Sequence, residues 1–144
     1  MQSYITLGLT KNASVSLIKG NPMTPLQLAA IASPIASKFG LNKCRPCATA
    51  LRDAFQEKHI PGSVLRLSTK GGRGYIVMKN SSFKLPFFLP PGVEAIADSG
   101  QHFGVLVGTL VFDNIFRSGV AAANWERQFD CDVHQFSLLK IEHF

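Results

Sequence analysis

The stretch Gln101-His102-Phe103-Gly104-Val105-Leu106-Val107-Gly108-Thr109-Leu110-Val111-Phe112-Asp113-Asn114-Ile115-Phe116 decides the architecture. Two apolar-rich runs flank Gly108-Thr109, and a Gly-Thr pair suits a tight turn, so the spacing predicts an antiparallel hairpin. With Val107 and Leu110 on either side of a two-residue turn, Gly104 faces Asp113 and His102 faces Ile115. His102 and Asp113 then share one face as diagonal neighbours, and Gly104 leaves space beside the carboxylate for an imidazole. A three-residue turn would reverse the parity and bring Asn114 to that face instead.

Upstream of the hairpin the pattern is helical. Thr24-Pro25 is a start signal, with Thr24 as cap and Pro25 in the first turn, and the helix is expected to run towards Phe39-Gly40 with a bend or break at Pro34. A second helix follows Asn42-Lys43-Cys44-Arg45-Pro46, its apolar positions Cys47, Ala50, Leu51, Ala54 and Phe55 recurring at three- and four-residue spacing. With Pro46 in the first helical position, Cys47 lies just inside this helix and Cys44 just outside.

Strand-like alternation covers Ser63 to Ser68, and a glycine-rich turn at residues 71–74 is expected to join it to Tyr75-Ile76-Val77-Met78 as a hairpin. Leu85-Pro86-Phe87-Phe88-Leu89-Pro90-Pro91 carries too many prolines for a strand or helix and reads as a packed loop. A weak strand is expected around Ser14 to Ile18, and the tail ends in an alternating strand from Gln135 to Ile141. Helices first and strands later predict an α+β fold with an antiparallel sheet.

The chain has 144 residues, 46% of them hydrophobic, with eleven Phe and 17% charged, which is the composition of a packed domain and not of a disordered chain. Lys and Arg outnumber acids by 15 to 9, giving +6, but the excess is scattered. Its densest spot, Lys70-Gly71-Gly72-Arg73, precedes no helix that would make it a phosphate cradle, so no nucleic-acid partner is expected. No apolar run is long enough to span a membrane, and Met1-Gln2-Ser3-Tyr4 lacks the features of a signal peptide, so no membrane partner is expected either.

Three cysteines are too few for a disulfide scaffold and leave at least one thiol unpaired within the chain. The start of a helix stabilises a thiolate through free N–H groups and the helix dipole, which singles out Cys47, with Cys44 close enough to compete. Such a thiol needs a base, and His102, at a strand start, is the candidate, oriented by Asp113 or Asn114. His59 follows a helix end and His143 lies in the tail, positions that suggest no chemistry. A rival reading joins Cys44, Cys47, Cys131 and His134 as a structural zinc site in a non-enzymatic binding module.

Cys44-Arg45-Pro46-Cys47-Ala48, then Gly100 to Val107, then Val111-Phe112-Asp113-Asn114, then Gly119, Trp125 and Phe129, resemble the papain-fold toxin domains of bacterial polymorphic toxin systems. The resemblance covers residues 36–144 and leaves residues 1–35 as an extension or helical lead-in. It implies a papain-like fold, N-terminal helices packed on an antiparallel sheet, and a cysteine hydrolase with a Cys-His-Asp/Asn triad carried by Cys47 or Cys44, His102, and Asp113 or Asn114. By analogy with papain, where the second cysteine of a C-x-x-C acts, it favours Cys47. Papain-like proteases carry a glutamine six residues before the nucleophile; Leu41 or Lys38 stands there in this chain, so Asn42 and the nucleophile's backbone N–H are the expected oxyanion donors. The implied activity is on a protein amide bond, as peptidase, deamidase or transglutaminase, without cofactor. The implied setting is the bacterial cytoplasm or a target cell reached as part of a secreted toxin, with an immunity protein as partner.

Overall fold

A computed structural model describes residues 17–18, 21–80, 86 and 89–144. A short antiparallel pair, β1 (Leu17–Ile18) and β2 (Asn21–Pro22), leads into α1 (Pro25–Ala36). The strand expected from Ser14 lies outside the described residues as far as Ser16, as does most of the proline-rich loop.

α1 starts where its residues can satisfy free backbone N–H groups. The Thr24 side chain accepts from Gln27 N (3.1 Å) and the Gln27 side chain accepts from Thr24 N (2.9 Å), with Pro25 first in the helix. Pro34 does not split this helix; it sits in the last turn, and the chain leaves the helix at Ala36, short of Phe39. Leu28, Ala32 and Ala36, four residues apart, are buried on one face and belong to the same core as α2 (Cys44–Glu57). The boundary expected between residues 35 and 36 falls at the last residue of α1.

α2 buries Cys44, Cys47, Ala48, Leu51 and Phe55, one stripe running its whole length. It begins two residues earlier than expected. The first N–H groups of a helix have no internal acceptor, so a proline is tolerated anywhere in the first turn; Pro46 stands third and Cys44 first. At the far end His59 adopts φ 59° and Ile60 N–H returns to Phe55 O at 2.9 Å, which closes the helix.

Five strands form one antiparallel sheet in the order β9-β3-β5-β6-β7: β3 (Ser63–Thr69), β5 (Gln101–Val107), β6 (Leu110–Phe112), β7 (Val120–Ala121) and β9 (Phe136–His143). A small separate pair joins β4 (Ile76–Met78) to β8 (Phe129–Cys131). The glycine-rich turn after β3 is thus no hairpin. Gly71, Gly72 and Gly74 all have positive φ and carry the chain out of the sheet, and the backbone of Arg73 then packs so closely on Gly100 (φ 76°) that a Cβ there has no room.

The β5–β6 hairpin has the two-residue turn, with Val107 opposite Leu110, Leu106 opposite Val111 and Val105 opposite Phe112. Phe112 shares its face with Val105, and its ring centroid lies 5.8 Å from that of Phe55 on α2. The helix thereby covers one side of the sheet. β6 stops at Phe112, so the edge of β5 from Gln101 to Gly104 has no strand beside it, and the N-terminus of α2 fits there. The tail crosses a short helix α3 (Ala122–Trp125), a 3-10 turn (Glu126–Gln128) and β8 before β9 returns along β3. The arrangement is α+β, helices on an antiparallel sheet.

Candidate active site

β5 sends His102 to the face opposite Phe103, and the chain leaving β6 places Asp113 against it: His102 Nε2 lies 2.9 Å from Asp113 Oδ2, with both side chains sealed from solvent. A carboxylate only accepts, so Nε2 carries the proton and donates it. In the neutral ring Nδ1 then carries the lone pair, and it is buried without a hydrogen-bond partner among the described residues.

Asp113 is held by four donors. Oδ2 accepts from His102 Nε2 and from Trp125 Nε1 (2.8 Å), while Oδ1 accepts from the backbone N–H groups of Ile115 (2.8 Å) and Phe116. Burial works against the charge, but the bond to His102, its positive charge and the remaining donors outweigh it and hold the carboxyl below its usual range. Trp125 also stacks on the imidazole, centroids 5.6 Å apart at 27°, and Phe129 closes the other flank at 4.8 Å. The space expected beside Gly104 for the imidazole is taken by other atoms. A Cβ on Gly104 would stand 2.8 Å from Val111 Cγ1 and 2.9 Å from Trp125 Cζ2, so the glycine makes room for the indole.

The two cysteines differ sharply. Cys44, first residue of α2, turns its thiol to the open edge of β5, with Sγ 3.8 Å from Gln101 O. Burial raises its pKa, yet interaction with His102 and with the backbone N–H groups of Phe103 and Arg45 outweighs this and lowers it overall. Burial lowers the His102 pKa in turn, and the bond to Asp113 with the negative charges of Asp113 and Cys44 more than reverses this, raising it to about 9. Cys47 is wholly buried a turn deeper; burial, with the negative charges of Asp113 and Cys44, pushes its thiol up to about 12. Cys47, which sequence and analogy favoured, thus lies wholly in the core, and Cys44, expected just outside the helix, is the thiol whose pKa His102 lowers.

Asn114 does not face the imidazole. It is buried, its Nδ2 donates to Gly40 O at 2.7 Å, and its Oδ1 has no partner. Asn42 is exposed two residues before Cys44 with φ 63°, its backbone N–H held by Ile96 O (2.9 Å) and its side chain uncommitted. The Cys44, Cys47, Cys131 and His134 side chains are not brought together. Cys131 points its thiol at Gln135 O (3.4 Å) and His134 Nδ1 meets Asp130 Oδ1 (2.8 Å), and among the described residues no three potential ligands converge on a point that would hold a metal ion. His143 contacts Ser63 Oγ through Nδ1 at 2.8 Å, which braces β9 on β3.

Trp125 is the residue whose role the sequence did not disclose. It appeared only as part of a resemblance, and its status as the one tryptophan of the chain was the sole signal available.

A family model described as papain fold toxin 2 matches residues 27–130. The match begins within α1 rather than at residue 36, ends in β8, and contains Cys44, His102, Asp113 and Trp125. No curated protein and no solved structure matches the chain at a significant level.

Proposed function

Because the chain belongs to the papain fold toxin 2 family, we propose that it is a cysteine hydrolase acting on a protein amide bond, with Cys44 as nucleophile, His102 as base and Asp113 as the group that orients the base. The observation carrying this reading is the division of the imidazole: Nε2 is bound to Asp113, while Nδ1, buried and unpartnered, is left for the thiol that lowers its own pKa through His102.

In this reading Nδ1 takes the thiol proton and the thiolate attacks the carbonyl carbon. The oxyanion is met by the Cys44 backbone N–H, free at the first position of α2, and by the Asn42 side chain. The imidazolium returns its proton to the departing nitrogen as the C–N bond breaks, leaving a thioester. Water, deprotonated by the same Nδ1, releases the acyl group and restores the thiol. If the departing nitrogen is main-chain the outcome is proteolysis; if it is a glutamine side-chain amide, deamidation; an incoming amine in place of water gives transglutamination. As a toxin-family effector it would act in a target cell or in the cytoplasm of a bacterium and be neutralised by an immunity protein.

The test is alkylation by iodoacetamide between pH 4 and 9 with peptide mapping, on wild type, Cys47→Ala and His102→Ala. Cys44 alone is expected to react well below the ordinary thiol pKa of about 8.5, equally so in Cys47→Ala, with the advantage lost in His102→Ala. Slow, similar reaction of both cysteines sinks the proposal.

A further inference from the structure

A cleft of about 1400 Å³ adjoins the candidate site through residues that touch Cys44 and His102, although neither of those two lines it. Two of its lining residues already belong to the reactive centre: Gln101, whose carbonyl meets Cys44 Sγ, and Phe129, whose ring lies on His102. The charge around the cleft is lopsided. Arg66, Lys70, Lys79 and Arg127 line it, and among the described residues none of these four has an ion-pair partner. Of the two lining acids, Asp130 is already bonded to His134, which leaves Glu126 alone.

Arg66 is the most constrained of the four. It sits in the middle of β3, opposite Phe103, and the next pair along the sheet on the same face is Ser68 with Gln101, so Arg66 and Gln101 are diagonal neighbours. Its Nε is buried and has no acceptor. A buried donor left unmade is costly, and a charged one more so. An incoming carboxylate would satisfy it with a charge-assisted bond.

We propose that this cleft receives an acidic segment of the protein substrate, whose carboxylates meet Arg66, Lys79 and Arg127 while the amide under attack lies at Cys44. The inference rests on the cysteine hydrolase reading for its placement of the amide. A protein segment fits better than a nucleic acid: the neighbouring thiol attacks carbonyl carbon and not phosphodiester, and Glu126 on the wall interrupts the path that a continuous run of phosphates would need. Lys70, Lys79 and Arg127 are exposed, so they act through long-range attraction as well as contact, and the interaction weakens with salt.

The full chain carrying Cys44→Ala, which binds without turnover, is titrated by fluorescence anisotropy against a labelled peptide of alternating Glu and Gly, its Lys/Gly counterpart and a labelled single-stranded oligonucleotide of similar length. The Glu/Gly peptide is expected to bind at least about tenfold tighter than the Lys/Gly peptide, and to lose about tenfold in a variant that adds Lys79→Glu and Arg127→Glu. Equal binding of the two peptides, no effect of the two reversals, or tighter binding of the oligonucleotide overturns the proposal. Both reversed residues are exposed, and circular dichroism checks that the fold is kept. Iodoacetamide reactivity of Cys44 in the Lys79→Glu, Arg127→Glu background, with Cys44 intact, is read separately. If that reactivity is ordinary already in the unreversed chain, the hydrolase reading fails while the peptide titration still decides the cleft.

Discussion

Trp125 donates its indole N–H to Asp113 Oδ2, the same oxygen that receives His102 Nε2, while its ring lies stacked on the imidazole. One side chain thus supports the base twice, through the carboxylate and through the ring face. Trp125→Phe keeps most of the stacking surface and removes the bond. Loss of that donor from a buried acceptor is expected to cost about 1–3 kcal/mol in urea unfolding. It also leaves Oδ2 to His102 alone, a stronger acceptor for the imidazolium, so the pH at which Cys44 becomes fast to alkylate should fall, which lost packing alone would not produce.

Gly104→Ala tests the same contact from the sheet side. The added Cβ meets Val111 and Trp125 at under 3 Å, and the indole must give way. Destabilisation of about 1–3 kcal/mol is expected, with tryptophan fluorescence shifted as the ring moves.

Asp113→Asn is expected to cost about a thousandfold or more in turnover while leaving a folded protein. Asp113 accepts at both oxygens; an amide accepts at only one. With the Ile115 and Phe116 N–H groups claiming that oxygen, the amide NH2 faces the Trp125 N–H and forces Nε2 of His102 to accept. The imidazole proton moves to Nδ1, where the thiol needs a lone pair. Restoration of fast Cys44 alkylation without Asp113 would contradict this account.

The pH dependence of stability follows from opposed shifts. The His102 pKa is raised to about 9, so its contribution is fully present below its unfolded value of 6.5 and is lost as pH climbs through 9. The Cys44 pKa is lowered, so its contribution is fully present above 9.0 and is lost as pH falls through the folded value. Below pH 9 and above both 6.5 and the folded Cys44 value the two slopes oppose each other. Cys44→Ala removes the thiol's slope and, because part of the His102 shift comes from Cys44, lowers the His102 pKa as well, so the loss of stability with rising pH, read from urea midpoints, should set in at lower pH in that variant than in wild type. Asp113, whose pKa is lowered, adds stability that is present above about pH 4 and lost below it in both proteins.

Much of this was written in the hairpin. Gly108-Thr109 fixes the turn length, turn length fixes parity, and parity brings His102 and Asp113 to one face, a chain of local rules that tertiary structure had no reason to override. Cys44 and Cys47 were harder to separate. A proline marks the first turn of a helix without marking its first residue, and a shift of two positions decides which of the two thiols stands at the helix start. The Lys70 to Gly74 turn misled for a related reason: glycines permit a hairpin, but β4 pairs with β8, more than fifty residues downstream, and no local pattern reports that partner. Trp125 meets Asp113 only because α3 folds back beneath Gly104.

The bond from Asn114 to Gly40 has a mechanical consequence. Asp113 holds the His102 imidazole, and its immediate neighbour in sequence tethers the loop that leads to Cys44, so one peptide unit links both halves of the proposed centre. A displacement of the turn at residues 113–116 would therefore pull on the carboxylate and on the loop before Cys44 together.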